Sequence, residues 1–212
     1  MKFFRIYFAV AIFSMLFACS SDESTGTSAV IDDGLGIPAG KYSVDKTHAY
    51  LTFSYLHQGL SYPLLRVRGI DGELMLDPNA IEKTRVSIVV DPASIRSNTD
   101  YFDRELASPK FFNVAKYPEI VFTGDSYEAI SASEGAMTGQ ITIRGITKPL
   151  ILTVRINGAM VNPITSRPVI GISATGYLLR SDFGMDRFIP AVADRIDLKM
   201  EIEFELLTDA GV

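Results

Sequence analysis

The stretch Met137–Asn157, MTGQITIRGITKPLILTVRIN, decides the fold. Successive side chains of a strand point to opposite faces, so every second residue shares a face. Met137, Gly139, Ile141 and Ile143 fall on one side, and Thr138, Gln140, Thr142 and Arg144 on the other. After Gly145, Ile146, Thr147, Lys148 and Pro149 the alternation resumes. Leu150, Leu152, Val154 and Ile156 then oppose Ile151, Thr153, Arg155 and Asn157. This period of two predicts half-buried strands, and the short Gly- and Pro-bearing connection predicts an antiparallel hairpin. One apolar and one polar face suit a sheet wetted on one side.

The same rhythm extends outward. It is cleanest in Ile196–Glu205, where Leu198, Met200, Ile202 and Phe204 alternate with Lys199, Glu201, Glu203 and Glu205. Upstream, Ala49, Leu51, Phe53 and Tyr55 share a face, as do Leu74 with Leu76, Val86 with Ile88 and Val90, and Ile120 with Phe122. Residues 126–131 read as a weak strand. Pro168–Arg180 reads as a long one, with Gly171 and Gly176 where a barrel would bend. Tyr42–Val44 predicts a short strand, followed by a turn at Asp45–Thr47. Loops are expected over 58–68 and 158–167, and a loop or helix over 184–194.

Ser97–Asn113 breaks the pattern. Phe102 and Leu106 stand four apart, Asp100 and Asp103 suit a helix N-terminus, and Pro109 should end the helix, with a second turn near Phe111. The result is about eight to ten strands, at most two short helices, and no βαβ alternation. Antiparallel strands in that number must close or pack as two sheets to hide their edges, which predicts an all-β fold.

The totals fit that reading. The chain has 212 residues, 47% of them hydrophobic and 21% charged, as in a globular domain with a real core. Its net charge of −5 and lack of a basic cluster argue against nucleic acid, which needs cations against phosphate. A single cysteine excludes both an intramolecular disulfide and a thiolate cage for zinc.

The N-terminus reads as an address. Lys2 and Arg5 precede a mostly apolar run, Ile6–Ala18, too short to span a bilayer but suited to a signal peptide. Its end, Leu16-Phe17-Ala18-Cys19, resembles a bacterial lipobox. That resemblance implies cleavage before Cys19, lipidation of its thiol and, with Ser20 following, an outer-membrane lipoprotein facing the periplasm or the cell surface. The alternative is an ordinary signal peptide with a chance cysteine. Residues 1–18 are thus expected as signal peptide, 19–37 as a flexible Ser-, Thr-, Asp- and Gly-rich tether, 38–207 as the folded domain and 208–212 as a tail.

Four ordered stretches between Lys41 and Glu205 resemble the YceI-like family of bacterial periplasmic proteins. They are Tyr42-Ser43-Val44-Asp45 through His48 to Phe53, Leu106 to Pro118 (LASPKFFNVAKYP), Thr138 to Pro149 (TGQITIRGITKP) and Arg180-Ser181-Asp182-Phe183-Gly184-Met185. The resemblance implies an extended lipocalin-like antiparallel barrel of about eight strands with one or two short helices. It also implies non-enzymatic binding, sequestration or transport of a polyisoprenoid, such as a prenyl quinone or prenyl pyrophosphate, or a similar amphiphilic lipid. The chain departs from the family at Phe102-Asp103-Arg104-Glu105-Leu106, where members often read R-D-x-H-L. The partners implied are that lipid and, through the anchor, a membrane, with a homodimer left open and no cofactor expected.

Chemistry is sparse in the residues themselves. His48 and His57 are the only histidines, nine apart, and neither they nor Ser108-Pro109 or Ser181-Asp182 form a recognisable catalytic arrangement. Arg180 and Asp182 could pair at a strand end, either as a structural ion pair or against a ligand head group. The apolar faces are the better candidates. A barrel of this size is either just filled by side chains or holds one ligand, and the pattern leaves both open. The resemblance favours a lining for a lipid tail made by Phe53, Tyr55, Leu74, Leu76, Val86, Ile88, Phe122, Ile141, Ile143, Leu152, Val154, Ile170 and Ile172. The alternative is a filled barrel that docks a membrane partner such as a cytochrome.

Overall fold

In the computed structural model, which describes residues 35–207, the alternating stretches become nine antiparallel strands and one α-helix. The strands are β1 (Gly40–Ser54), β2 (Leu64–Val67), β3 (Ile70–Leu76), β4 (Arg85–Val90), β5 (Ile120–Ala129), β6 (Glu134–Ile143), β7 (Ile146–Val161), β8 (Pro168–Leu179) and β9 (Arg195–Leu206). From β3 onward each strand pairs with the next, and β9 returns to pair with β1. The other edge of β1 is shared, its first residues bonding β3 and its last ones β2. Eight strands therefore close a barrel and β2 is an extra one. Closure removes the bare edges that an open sheet would expose.

The opening hairpin sets the register. Arg144 and Gly145 both have positive φ, 53° and 74°, as a two-residue type I′ turn demands. The turn is therefore shorter than the sequence suggests, because Ile146 already pairs with Ile143 and Pro149 with Gln140. Counting alternately from the closing pair, Gln140–Pro149 exchanges no ladder hydrogen bond. The N–H that proline lacks would point to the other side, where β8 pairing begins only at Thr153. A proline thus sits in a strand without breaking it.

Other differences have local causes. Asp45–Thr47 is not a turn but a bulge inside one long β1, where the pairing with β9 slips between Val44 and Ala49. Residues 126–131 do not start a new strand; β5 continues to Ala129 past a second bulge between Gly124 and Ser126, and 130–131 belong to the turn. β2 lies within the expected loop 58–68, and β7 runs on to Val161. The helix α1 spans Asp100–Ala107, with Thr99 accepting from the Phe102 N–H at its N-terminus, and only turns follow near Phe111. Leu35 packs against the core and Ile37 is buried in it, so packing begins before Pro38. The expected signal peptide, Cys19 and the tail 208–212 lie outside the described residues.

Two glycines let β5 and β6 approach closely. Gly124 faces Gly139 across the ladder, and a Cβ at Gly139 would stand 2.2 Å from the Thr123 carbonyl oxygen and 2.7 Å from the Gly124 Cα. Both obstacles are backbone, so no rotamer change relieves them. Gly139→Ala should cost about 1–3 kcal/mol. Thermal or urea unfolding would measure it, and an unchanged midpoint would refute the close approach.

Candidate functional site

The inward faces of the strands meet in the register that the alternation predicts. Ile88 pairs with Phe122 and Phe122 with Ile141. Val154 pairs with Ala174, Ala174 with Met200, and Met200 with Leu51. These rows do not fill the barrel. They surround a cavity of about 970 Å³, at the upper end of what small-molecule sites occupy.

All thirteen interior residues named from the sequence line this cavity. Phe53 and Tyr55 stand toward the end of β1 and just beyond it. Leu74 and Leu76 come from β3, Val86 and Ile88 from β4, Phe122 from β5, and Ile141 and Ile143 from β6. Leu152 and Val154 come from β7, and Ile170 and Ile172 from β8. The sequence reading omitted the β9 row, Leu198, Met200, Ile202 and Phe204, although its alternation was the clearest in the chain. It also omitted Phe102, Phe111 and Phe112, which line the cavity from α1 and the turns after it. Phe102 and Phe111 meet edge to face with centroids 6.2 Å apart, and Arg144 of the hairpin turn donates to the Phe111 carbonyl.

The two ends of the barrel differ. At the end of β1 that carries Gly40, Leu35, Ile37 and Leu206 pack against the core and Ile81 lines the cavity floor. At the other end the cavity reaches the surface between Tyr62–Leu64, Ser97–Thr99 and Arg187–Phe188, which line it and include its most exposed residues. This is the mouth.

Arg180 is the one charged side chain buried among the described residues, 7% exposed, and it lines the cavity near the mouth. It does not pair with Asp182. Its Nε donates to the Ala193 carbonyl at 2.9 Å and Nη2 to that of Val192 at 2.8 Å, while Nη1 donates to Met185 and Arg187. Four carbonyls from one loop thus converge on a planar fork that can serve them together. Burial lowers the Arg180 pKa, opposed by Asp194, Asp186 and Tyr55; the same burial raises that of Tyr55, opposed by Arg180. The arrangement holds the 185–193 loop in place beside the mouth.

The two histidines stand apart. His57 lines the mouth. His48 sits on the outer surface at the β1 bulge, its Nδ1 2.7 Å from Asp45 Oδ2 and 3.8 Å from Glu203 Oε2. These three groups offer ligand atoms within 4.8 Å of one another, but His48 is exposed and the carboxylates only half-buried, and a surface ion pair accounts for them. The hydrogen bond that His48 donates to Asp45, then the charges of Glu203 and Asp45, raise the His48 pKa. Burial pushes the Asp45 carboxyl up, but hydrogen bonds from Thr47 and His48 outweigh it and hold it low.

The raised His48 pKa contributes stability that is fully present below about pH 6.5, the unperturbed value, and is lost as pH rises through the folded value. His48→Gln should therefore lower the melting temperature slightly in mild acid, with the gap closing in alkali. A gap that widened in alkali would reverse the assignment.

Three comparisons bear on this architecture. The family model of the YceI-like domain matches residues 42–204. Protein YceI of Escherichia coli O6:H1 is 28% identical over 167 residues, covering 78% of this chain and 86% of its own. Among solved structures, the YceI protein of Campylobacter jejuni superposes with a TM-score of 0.66 at 28% identity, over 72% of this chain and 90% of that one. A polyisoprenoid binding domain from Saccharophagus degradans, implicated in plant cell wall breakdown, shares the fold at 12% identity. Its TM-score is 0.62, over 78% of this chain and 98% of that one.

Proposed function

The chain belongs to the YceI-like family, and from that premise we propose that it is a non-enzymatic carrier that binds, sequesters or transports a polyisoprenoid or similar amphiphilic lipid in its barrel. The observation that carries the proposal is the cavity itself. About 970 Å³ of space is walled by Ile, Leu, Val, Phe and Met from every strand and opens at one end. Removing a methylene from water is worth roughly 0.8 kcal/mol, so a long apolar chain gains its affinity there without a charged contact. The description of the Saccharophagus degradans domain as polyisoprenoid binding supports the same ligand class. A prenyl quinone and a prenyl pyrophosphate both suit a tunnel that takes the tail and leaves the head group near Arg180 and Tyr55.

A filled barrel docking a membrane partner is the second reading, and the size of the cavity speaks against it. A catalytic role is disfavoured by the mouth. His57 there has no carboxylate in salt-bridge contact among the described residues, and Arg180 is occupied by backbone carbonyls. The proposal includes location: a lipid on Cys19 would hold the domain at the outer membrane.

Purification of the full chain from native membranes, followed by lipid extraction and mass spectrometry, tests both parts. A co-purifying prenyl species and an acylated N-terminal Cys19 are expected. Repeatedly empty extracts would sink the carrier reading, and an unmodified cysteine the anchor.

A further inference from the structure

The mouth of the tunnel is an unusual piece of surface. Leu60 is 82% exposed, Tyr62 66%, Leu64 68% and Phe188 55%. They come from two loops that form one rim. The Gln58 N–H donates to the Ala191 carbonyl at 2.8 Å and the Ala193 N–H to that of Leu56 at 2.9 Å. Within the first loop the His57 N–H donates to the Ser61 carbonyl at 2.9 Å, projecting Leu60 outward. Phe188 holds a backbone φ of 69°, uncommon for an aromatic residue, with its ring in the open. Contiguous exposed apolar side chains mark a surface that something covers.

Charge indicates what covers it. The chain is acidic overall, yet from Tyr50 to Ile70 it has no Asp or Glu. Arg66 and Arg68, both exposed, stand just behind Leu64, and the Arg187 guanidinium lies 4.7 Å from the Phe188 ring centroid. Asp186 beside Arg187 is the nearest acid in sequence on the second loop. Apolar side chains in front and guanidinium groups behind are the composition of an interfacial membrane contact, where the former enter the acyl boundary and the latter meet anionic head groups.

The tunnel itself argues for the same occupant. A prenyl chain that crossed open water would forfeit roughly 0.8 kcal/mol per methylene, so exchange requires the mouth to meet a lipid phase directly. A protein bound over this rim would instead seal the opening. We propose that Leu60, Tyr62, Leu64 and Phe188, with Arg66 and Arg68 behind them, form a membrane-docking face that seats the tunnel mouth on an anionic bilayer surface.

The proposal rests on the carrier reading and is consistent with the expected anchor. The chain enters the barrel at Gly40, at the closed end, and β1 spans roughly 50 Å to the mouth. Residues 19–34, ahead of the first residue packed on the core, reach roughly 55 Å when extended, a length comparable with that span.

An environment-sensitive fluorophore on the full chain tests this, placed by Phe188→Cys at the mouth or by Ala132→Cys in the exposed β5–β6 turn at the closed end. Cys19 is common to both and cancels in the comparison. On addition of phosphatidylcholine vesicles containing phosphatidylglycerol, the label at position 188 should shift to the blue and be quenched by brominated lipid, while that at 132 stays unchanged. Phosphatidylcholine alone, added salt, or Arg66→Glu with Arg68→Glu should each weaken the response. An equal response at both positions, or none at 188, overturns the proposal. So does a blue shift at 188 that grows with protein concentration without vesicles, which assigns the face to a second copy. Lipid-filled extracts without insertion would defeat docking alone; insertion with empty extracts would defeat the carrier alone.

Discussion

Replacing Arg180 by methionine is expected to destabilise the domain by about 2–4 kcal/mol, because it leaves one buried and three part-buried carbonyls without donors rather than merely removing a charge. The guanidinium serves Met185, Arg187, Val192 and Ala193 at once, and no other side chain is hydrogen-bonded to those oxygens among the described residues. A loop end near water recovers some of them, so the loss stays below four full penalties. The urea midpoint should fall with little change in the slope. Arg180→Lys should recover only part of the loss, since an ammonium has three donors and no planar fork to span four carbonyls. A loss below about 1 kcal/mol would mean that the 185–193 loop holds itself.

Filling the tunnel should do the opposite, removing ligand while sparing the fold. Ala174 lies midway along β8, opposite Val154 and Met200, with its methyl turned into the cavity. Ala174→Trp would put an indole where the lipid tail should lie. A tenfold loss of affinity needs only about 1.4 kcal/mol, and displacing two methylenes already exceeds that. The apparent Kd for a prenyl ligand should therefore rise at least about tenfold, and lipid recovered per mole of protein should fall. Stability should hold or rise, because the ring occupies empty apolar space rather than a packed core. A tryptophan variant that carried as much lipid as the parent would show that the ligand does not use the middle of the barrel.

How much of this was legible depends on how local each signal is. The barrel walls were, because a strand with one apolar face carries its orientation in every second residue. The same property put Ile141, Leu152 and their neighbours on the interior before any coordinates. What local pattern does not carry is whether an interior is filled or open. That depends on how large side chains from eight strands meet across the axis, and on Gly124, Gly139 and Ala174 standing where larger residues would protrude. Nor does it carry Arg180: the carbonyls that justify a buried guanidinium come from a loop whose path is set by the barrel. The Asp45–Thr47 bulge was misread because a polar, Asp-led triplet has the composition of a turn, and only pairing with β9 shows the strand continuing. β2 was missed for its length, since four residues show too little alternation to stand out beside Gly59 and Pro63.

Closure by β1 and β9 has a consequence in time. Nine residue pairs, from Tyr42–Leu206 to Ser54–Asp197, join the first strand to the last. A chain made from its N-terminus exposes β1 early, yet one edge of that strand has no partner until nearly all the rest has emerged. Loops of such length close slowly, and folding dominated by distant pairings runs in milliseconds to seconds. Throughout that interval the apolar residues Leu51 and Phe53 have β2 on one edge but lack their β9 partners on the other, which leaves an apolar strand edge open to aggregation and to a chaperone's grip. Fusing β9 ahead of β1 in a circular permutant should make that pairing local, speeding refolding without altering the finished ring.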